Sequence, residues 1–268
     1  MSSKSIKDIL KEDFGWEIPV ETVPLPSMGK LYDPDSTLYM RETVDIKAMT
    51  AEEEDILTST ALIRKGETIG RLIESCVVDK SFNTDDLLIG DRNALMVAIR
   101  ITGYGTSYPV SYTCANCGTL NKADVDLSTL PIRALEINPV KSGINQFKFT
   151  LPVTKKDVIF KFMTGSDEKD RKVTQERMKK ILGDNADLEK NVTSSLETCV
   201  VSIDGITDPL KIKHFIKYMP AYDSKSLRKF IRDNEPNIEM VQNCTCSNCG
   251  TADDINVPIT TEFFWPNT

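Results

Sequence analysis

A chain of 268 residues, 40% hydrophobic and 27% charged, can bury one large core or two small ones. No apolar run reaches the length of a membrane span, and the N-terminus shows no signal-peptide h-region. A net charge of −7 and a pI near 5.0 count against a nucleic-acid-binding surface, which normally carries a basic patch. Seven cysteines, an odd number that includes two C-x-x-C pairs, point to a reducing cytosol and to metal rather than disulfides.

Residues 1–16 form a short candidate helix, with Ile6, Ile9, Leu10 and Phe14 near one face. Pro19, Pro24, Pro26 and Pro34 then disfavour regular structure, so residues 1–34 read as an extended arm. Such an arm either frays or lies on a partner. In the second case Ile6, Leu10, Phe14, Leu31 and Tyr32 are the candidate contacts.

Residues 43–49 alternate as a strand, and Thr50 with Glu53 fits a capping box that starts a helix. The acidic run Glu52-Glu53-Glu54-Asp55 suits the positive end of that helix better than it suits a metal. A second helix is expected over 68–78 through Ile69, Leu72, Ile73 and Cys76, the last as a buried core thiol. Asp91 is the expected cap of a third helix, whose core face is Leu95, Met96 and Ile99. Gly103-Tyr104-Gly105 ends it. Strands over 108–113 and 119–127 follow, with Val110, Tyr112, Val125 and Leu127 on one face, and between them stands Cys114-Ala115-Asn116-Cys117-Gly118.

Leu130 to Gln146, with Pro131, Pro139 and Gly143, reads as a joint. Beyond it come strands over 147–151 and 157–163, and a polar helix over 166–182 broken by Gly183-Asp184-Asn185. Asp208-Pro209 caps a helix carrying Leu210, Ile212, Phe215 and Ile216. The single histidine, His214, has no evident catalytic partner there. Asp223 opens the next helix, and Cys246-Ser247-Asn248-Cys249-Gly250 follows it, with Cys244 as a further candidate thiol. The chain closes on Phe263, Phe264 and Trp265, which either pack on the core or anchor a partner.

The two knuckles belong to an internal repeat. A shift of 132 residues lays Cys117 on Cys249 and Thr119 on Thr251, and Asp91, Leu95, Ile99 and Arg100 on Asp223, Leu227, Ile231 and Arg232. Upstream the shift falls to 123, where Cys76 meets Cys199, and then to 114, where Lys47 meets Lys161. The expected fold is therefore α+β: a tandem duplication of a strand–three-helix–β-hairpin unit with zinc-ribbon-like knuckles. The arm covers 1–34, the first repeat 35–135, the linker 136–146 and the second repeat 147–268.

Two nearby thiolates supply half of a tetrahedral site, and two such pairs supply the set that suits structural Zn²⁺. Cys114, Cys117, Cys246 and Cys249 are the candidate ligands. Four thiolates leave no position for water, so the metal would be structural, and no catalytic residue is assigned. An intrachain site would hold the copies about a pseudo-two-fold axis. Pairing with another subunit, or two separate pairs, are the other arrangements. Walker, H-E-x-x-H, G-x-S-x-G and Rossmann motifs are absent, which argues against a conventional enzyme. A zinc-ribbon nucleic-acid binder needs a basic face, yet only Lys122 lies near the first knuckle and Asp253-Asp254 follows the second. Thiol redox chemistry needs an exposed, low-pKa cysteine in each pair.

Pro26-Ser27-x-Gly29-x-x-Tyr32, Met49-Thr50-Ala51-Glu52-Glu53, Gly90-Asp91-Arg92, Ile99-Arg100…Tyr104-Gly105, the C-x-x-C-G hairpin and the Phe-Phe-Trp-Pro ending resemble the baseplate hub and hub-assembly proteins of T-even-type contractile bacteriophages. The pattern up to residue 100 is also similar to phage tail-assembly chaperones, which handle the tape measure protein. The resemblance implies a non-enzymatic assembly role, with tail or hub proteins as partners; self-association is a further expected contact, and charge and hydropathy argue against nucleic acid and membrane. It places the chain in the host cytoplasm during tail assembly or in the virion baseplate.

Overall fold

The computed structural model describes residues 11–182, 191–259 and 261–264. The fold is α+β, with small antiparallel sheets among helices. β1 (Val20–Pro24) pairs with β2 (Thr43–Lys47), which places Val23 opposite Val44. Val44 and Ile46 face inward and are fully buried, as the alternation of this strand requires. α1 (Ala51–Thr58), α2 (Thr60–Lys65) and α3 (Thr68–Cys76) follow. α3 turns Leu72, Ile73 and Cys76 into the core at helical spacing. α4 (Ile89–Tyr104) runs through the middle of the core on Ala94, Leu95 and Ile99.

The capping box at α1 forms, and Glu53 has a second role there. Its buried carboxylate accepts from the Thr50 backbone at 2.9 Å and from Ser75 Oγ at 2.5 Å, and pairs with Lys47 Nζ at 2.7 Å. Burial alone would push its pKa up, but Lys47, Ser75 and Thr50 overcome that and hold it at about 2, against an ordinary 4.5. A carboxyl depressed on folding contributes stability that is full above its unfolded pKa and is lost as pH falls through the folded one. Glu53→Gln should therefore flatten the acid-unfolding curve between about pH 4.5 and pH 2, as followed by circular dichroism.

Beyond the first hairpin, β6 (Phe147–Thr150), β7 (Asp157–Phe160) and β8 (Val200–Ile203) form one sheet in that order. Phe147, Phe160 and Phe162 are buried against one another, with ring centroids 4.7–5.8 Å apart. α5 (Gly165–Leu182), α6 (Asn191–Cys199), α7 (Pro209–Tyr218) and α8 (Ala221–Asn234) complete this half. The Gly183-Asp184-Asn185 break lies outside the described residues.

Contacts of one kind recur in the two halves, with Ile46, Val77 and Asp91 at the spacings of the sequence match and the loop that meets Asp91 at a different one. Ile46 bridges Val77 after α3, and Phe160 pairs with Val200 after α6. Asp91 Oδ1 accepts from Ser27 N at 2.9 Å, and Asp223 Oδ1 from Val153 N at 2.7 Å. Each loop follows a Leu-Pro pair, Leu25-Pro26 and Leu151-Pro152. Cys76 and Cys199 are core thiols whose pKa values burial pushes up to about 12.

Three expectations need correction. Asp91 is not the cap of α4: Leu88 holds that position, and Asp91 lies buried in the first turn. Residues 20–34 do not project as a docking arm. Leu31 and Tyr32 are 3% and 6% exposed, and Tyr32 Oη donates to Asp91 and accepts from Leu88 N, so they are core residues rather than partner contacts. Phe263 and Phe264 are likewise fully buried. Arg100 Nε donates to the Phe263 carbonyl at 3.1 Å, and the Tyr108 and Phe263 rings are 5.1 Å apart. Of the remaining candidate contacts, Phe14 is exposed, while Ile6, Leu10 and Trp265 lie outside the described residues.

The halves interlock. Leu88 bridges Thr164, and β5 (Ile132–Arg133) pairs with β9 (Asn237–Ile238). The chain entering β9 crosses α4 at Gly90, where a Cβ would lie 1.8 Å from the Pro236 carbonyl oxygen, so no side chain fits.

Candidate metal centre

Two hairpins present the thiols. β3 (Ser107–Thr113) pairs with β4 (Leu120–Asp126), and β10 (Val241–Thr245) with β11 (Ala252–Asn256). Val110, Tyr112 and Val125 are buried, which anchors the first hairpin on the core. At each tip the backbone closes in the same way. Cys114 N donates to Thr119 O at 2.9 Å and Cys246 N to Thr251 O at 2.8 Å. Gly118 and Gly250 both have φ of 71°, the left-handed conformation that turns the chain without a Cβ penalty.

The ligand atoms of Cys114, Cys117, Cys246 and Cys249 lie within 4.8 Å of one another. Cys114 Sγ is 3.7 Å from Cys249 Sγ, and Cys117 Sγ is 3.6 Å from Cys246 Sγ. A tetrahedron with Zn–S bonds of about 2.3 Å has edges of about 3.8 Å, so the donor set and its spacing fit one ion. The first cysteine of each pair is buried and the second exposed. Cys244 is not part of the cluster: it lies on β10 opposite Asp253.

The surroundings follow the same two-fold pattern. Asn116 Nδ2 approaches Cys249 Sγ at 3.7 Å and donates to Thr251 Oγ1 at 3.2 Å. Asn248 Nδ2 approaches Cys117 Sγ at 3.7 Å and donates to Thr119 Oγ1 at 3.1 Å. Each threonine hydroxyl is 3.3 Å from the exposed sulfur of its own hairpin. Cross-hairpin amides thus orient the hydroxyls that face the sulfurs, the kind of support that holds ligands in place around a metal. The sequence marked Asn116, Asn248, Thr119 and Thr251 as repeated residues, but gave no sign that each asparagine reaches across to the other knuckle.

The two-fold breaks at one position. Asn121 holds the opposite knuckle by accepting from Ser247 N at 2.9 Å, and its Nδ2 approaches Cys246 Sγ at 3.4 Å. Its counterpart Asp253 also accepts from the opposite knuckle, at Ala115 N, but a carboxylate has no proton to offer a sulfur. The thiol chemistry follows. Cys249 is held down at about 6 by the Thr251 hydroxyl and backbone and by the Asn116 amide, and Cys117 is lowered by Thr119. Amides of Cys117 and Asn116 favour the Cys114 thiolate, yet burial and Asp253 prevail and push it up to about 12. A cation beside Asp253 would reverse that balance.

Among the described residues no helix is long and apolar enough to cross a membrane. No curated protein and no solved structure matches the chain. The family model described as T4 bacteriophage base plate protein matches residues 19–265, nearly the whole sequence, including both thiol hairpins and the buried Asp91 clamp. The chain belongs to this family of phage base plate proteins.

Proposed function

We propose that the protein is a non-enzymatic factor in phage tail and baseplate hub assembly, a chaperone or adaptor for tape measure or hub proteins. In this reading it is a tandem duplication, and one structural Zn²⁺ held by Cys114, Cys117, Cys246 and Cys249 clasps the two halves. The observation that carries it is the pairing of thiols from hairpins 132 residues apart, with matching hydrogen bonds around them, in a member of a base plate family. A closed thiolate shell offers a substrate no coordination site. The ion therefore stiffens a body that holds other proteins, in the host cytoplasm while tails are built. Exposed Phe14 remains a contact of the outer arm in this reading.

Co-expression with the tape measure or hub protein of the same phage tests the role. The expected result is a gain in partner solubility and co-purification of the pair, and the absence of both would contradict it. Mass spectrometry of purified virions separates the assembly factor, absent from particles, from a permanent baseplate component, present in them.

A further inference from the structure

We propose that the outer face of α7 and α8 docks an acidic, apolar-anchored segment of a partner protein. This names the contact surface for the assembly role above and rests on that reading. Residues 208–232 contain seven basic and two acidic side chains in a chain of net charge −7, and one of the two acids, Asp223, is buried against the Val153–Thr154 loop. The cations of this stretch face water, and so do its large apolar groups: Leu210, Tyr218 and Tyr222 are 71%, 74% and 63% exposed. Lys217 Nζ sits 5.3 Å from the Tyr218 ring centroid, so charge and apolar surface are presented together.

α4, the counterpart of α8, shows what such a face does when it is covered. There Gly90 lies under the Pro236 carbonyl, Val97 is buried, and Arg100 binds the Phe263 carbonyl. The matching positions on α8 are Tyr222, Lys229 and Arg232, all exposed. Tyrosine in place of glycine prevents backbone from crossing as closely, so the contact on α8 is made by side chains. The ion pairs present, Lys213–Glu197 at 3.6 Å, Lys229–Asp233 at 3.5 Å and Arg232–Asp233 at 3.2 Å, lie at the surface and contribute little. The excess of cations over this stretch, four of them outside those ion pairs, selects an acidic occupant, and Leu210 with the two tyrosines selects apolar anchors on it. A nucleic acid fits less well, because the net negative charge of the whole chain opposes a long polyanion.

The test uses a fluorescent peptide alternating glutamate with phenylalanine, and a thymine oligonucleotide as counter-probe. Titrations compare the full chain with a Tyr222→Ser/Lys225→Glu/Lys229→Glu variant and a Leu210→Ser/Tyr218→Ser variant. Circular dichroism and zinc content are read on the same samples. The expected result is peptide binding that is salt-sensitive and about tenfold weaker in each variant, with weaker oligonucleotide binding. No peptide binding, equal binding by the variants, or preference for the oligonucleotide would overturn the proposal. The zinc content reports on the clasp separately, so failure of the docking face is distinguishable from failure of the metal reading.

Discussion

Cys117→Ser is expected to abolish stoichiometric metal binding and to lower stability by about 5 kcal/mol or more. The size follows from the position of the site. Structural zinc binding is worth on the order of 10–16 kcal/mol in small zinc peptides, against about 5–15 kcal/mol for the net stability of a whole domain. Here the four sulfurs come from two hairpins that approach each other across Asn116, Asn248, Thr119 and Thr251. Without the ion, the side-chain hydrogen bonds of Asn116 and Asn248, and of buried Asn121 to Ser247, are what hold the tips together. Thermal unfolding with and without a chelator checks this. The chelator should reproduce the variant's loss in the wild-type protein and add nothing in the variant. Cys244→Ser, outside the cluster, should keep its metal.

Asp91→Ala should destabilise the fold by about 3–5 kcal/mol, because three buried neutral donors lose their acceptor at once, each at a cost of about 1–3 kcal/mol before relaxation. Its carboxylate accepts from Ser27 N at 2.9 Å, Ser27 Oγ at 2.6 Å and Tyr32 Oη at 2.5 Å, all buried. These bonds fix the loop after β1 on the first turn of α4. Asp223→Ala removes the matching clamp on Val153 and Thr154, but that loop is only partly buried and water can replace the carboxylate. The second variant should therefore cost about 1–3 kcal/mol. Urea denaturation of both measures the difference, and equal small losses would contradict the clamp.

Much of this architecture is legible in the sequence. The capping box of Thr50 and Glu53, the apolar stripe of α3, the Gly105 terminus of α4 and the alternating hairpin strands each carry a local signal, and each element forms. The four clustered cysteines are legible because two C-x-N-C-G motifs constrain both backbone and donor type. What the sequence hid is long-range. Proline-rich residues 20–34 look like a free arm because proline disfavours regular structure, yet Tyr32 reaches Asp91, 59 residues on. Phe263 and Phe264 read from sequence as either core or anchor, and the choice rests on Arg100, which draws that segment onto α4. The crossing of Pro236 over Gly90 likewise depends on a partner far along the chain. Helix α2 carries no such local signal, since its six residues offer no apolar periodicity.

Zinc-edge X-ray absorption on freshly purified protein, paired with elemental analysis and sedimentation, tests the clasp most directly. The expected result is one zinc per monomeric chain, bound by four sulfurs at about 2.3 Å. Nitrogen or oxygen in the ligand shell, a metal-free folded chain, or zinc found only where two chains meet would contradict it.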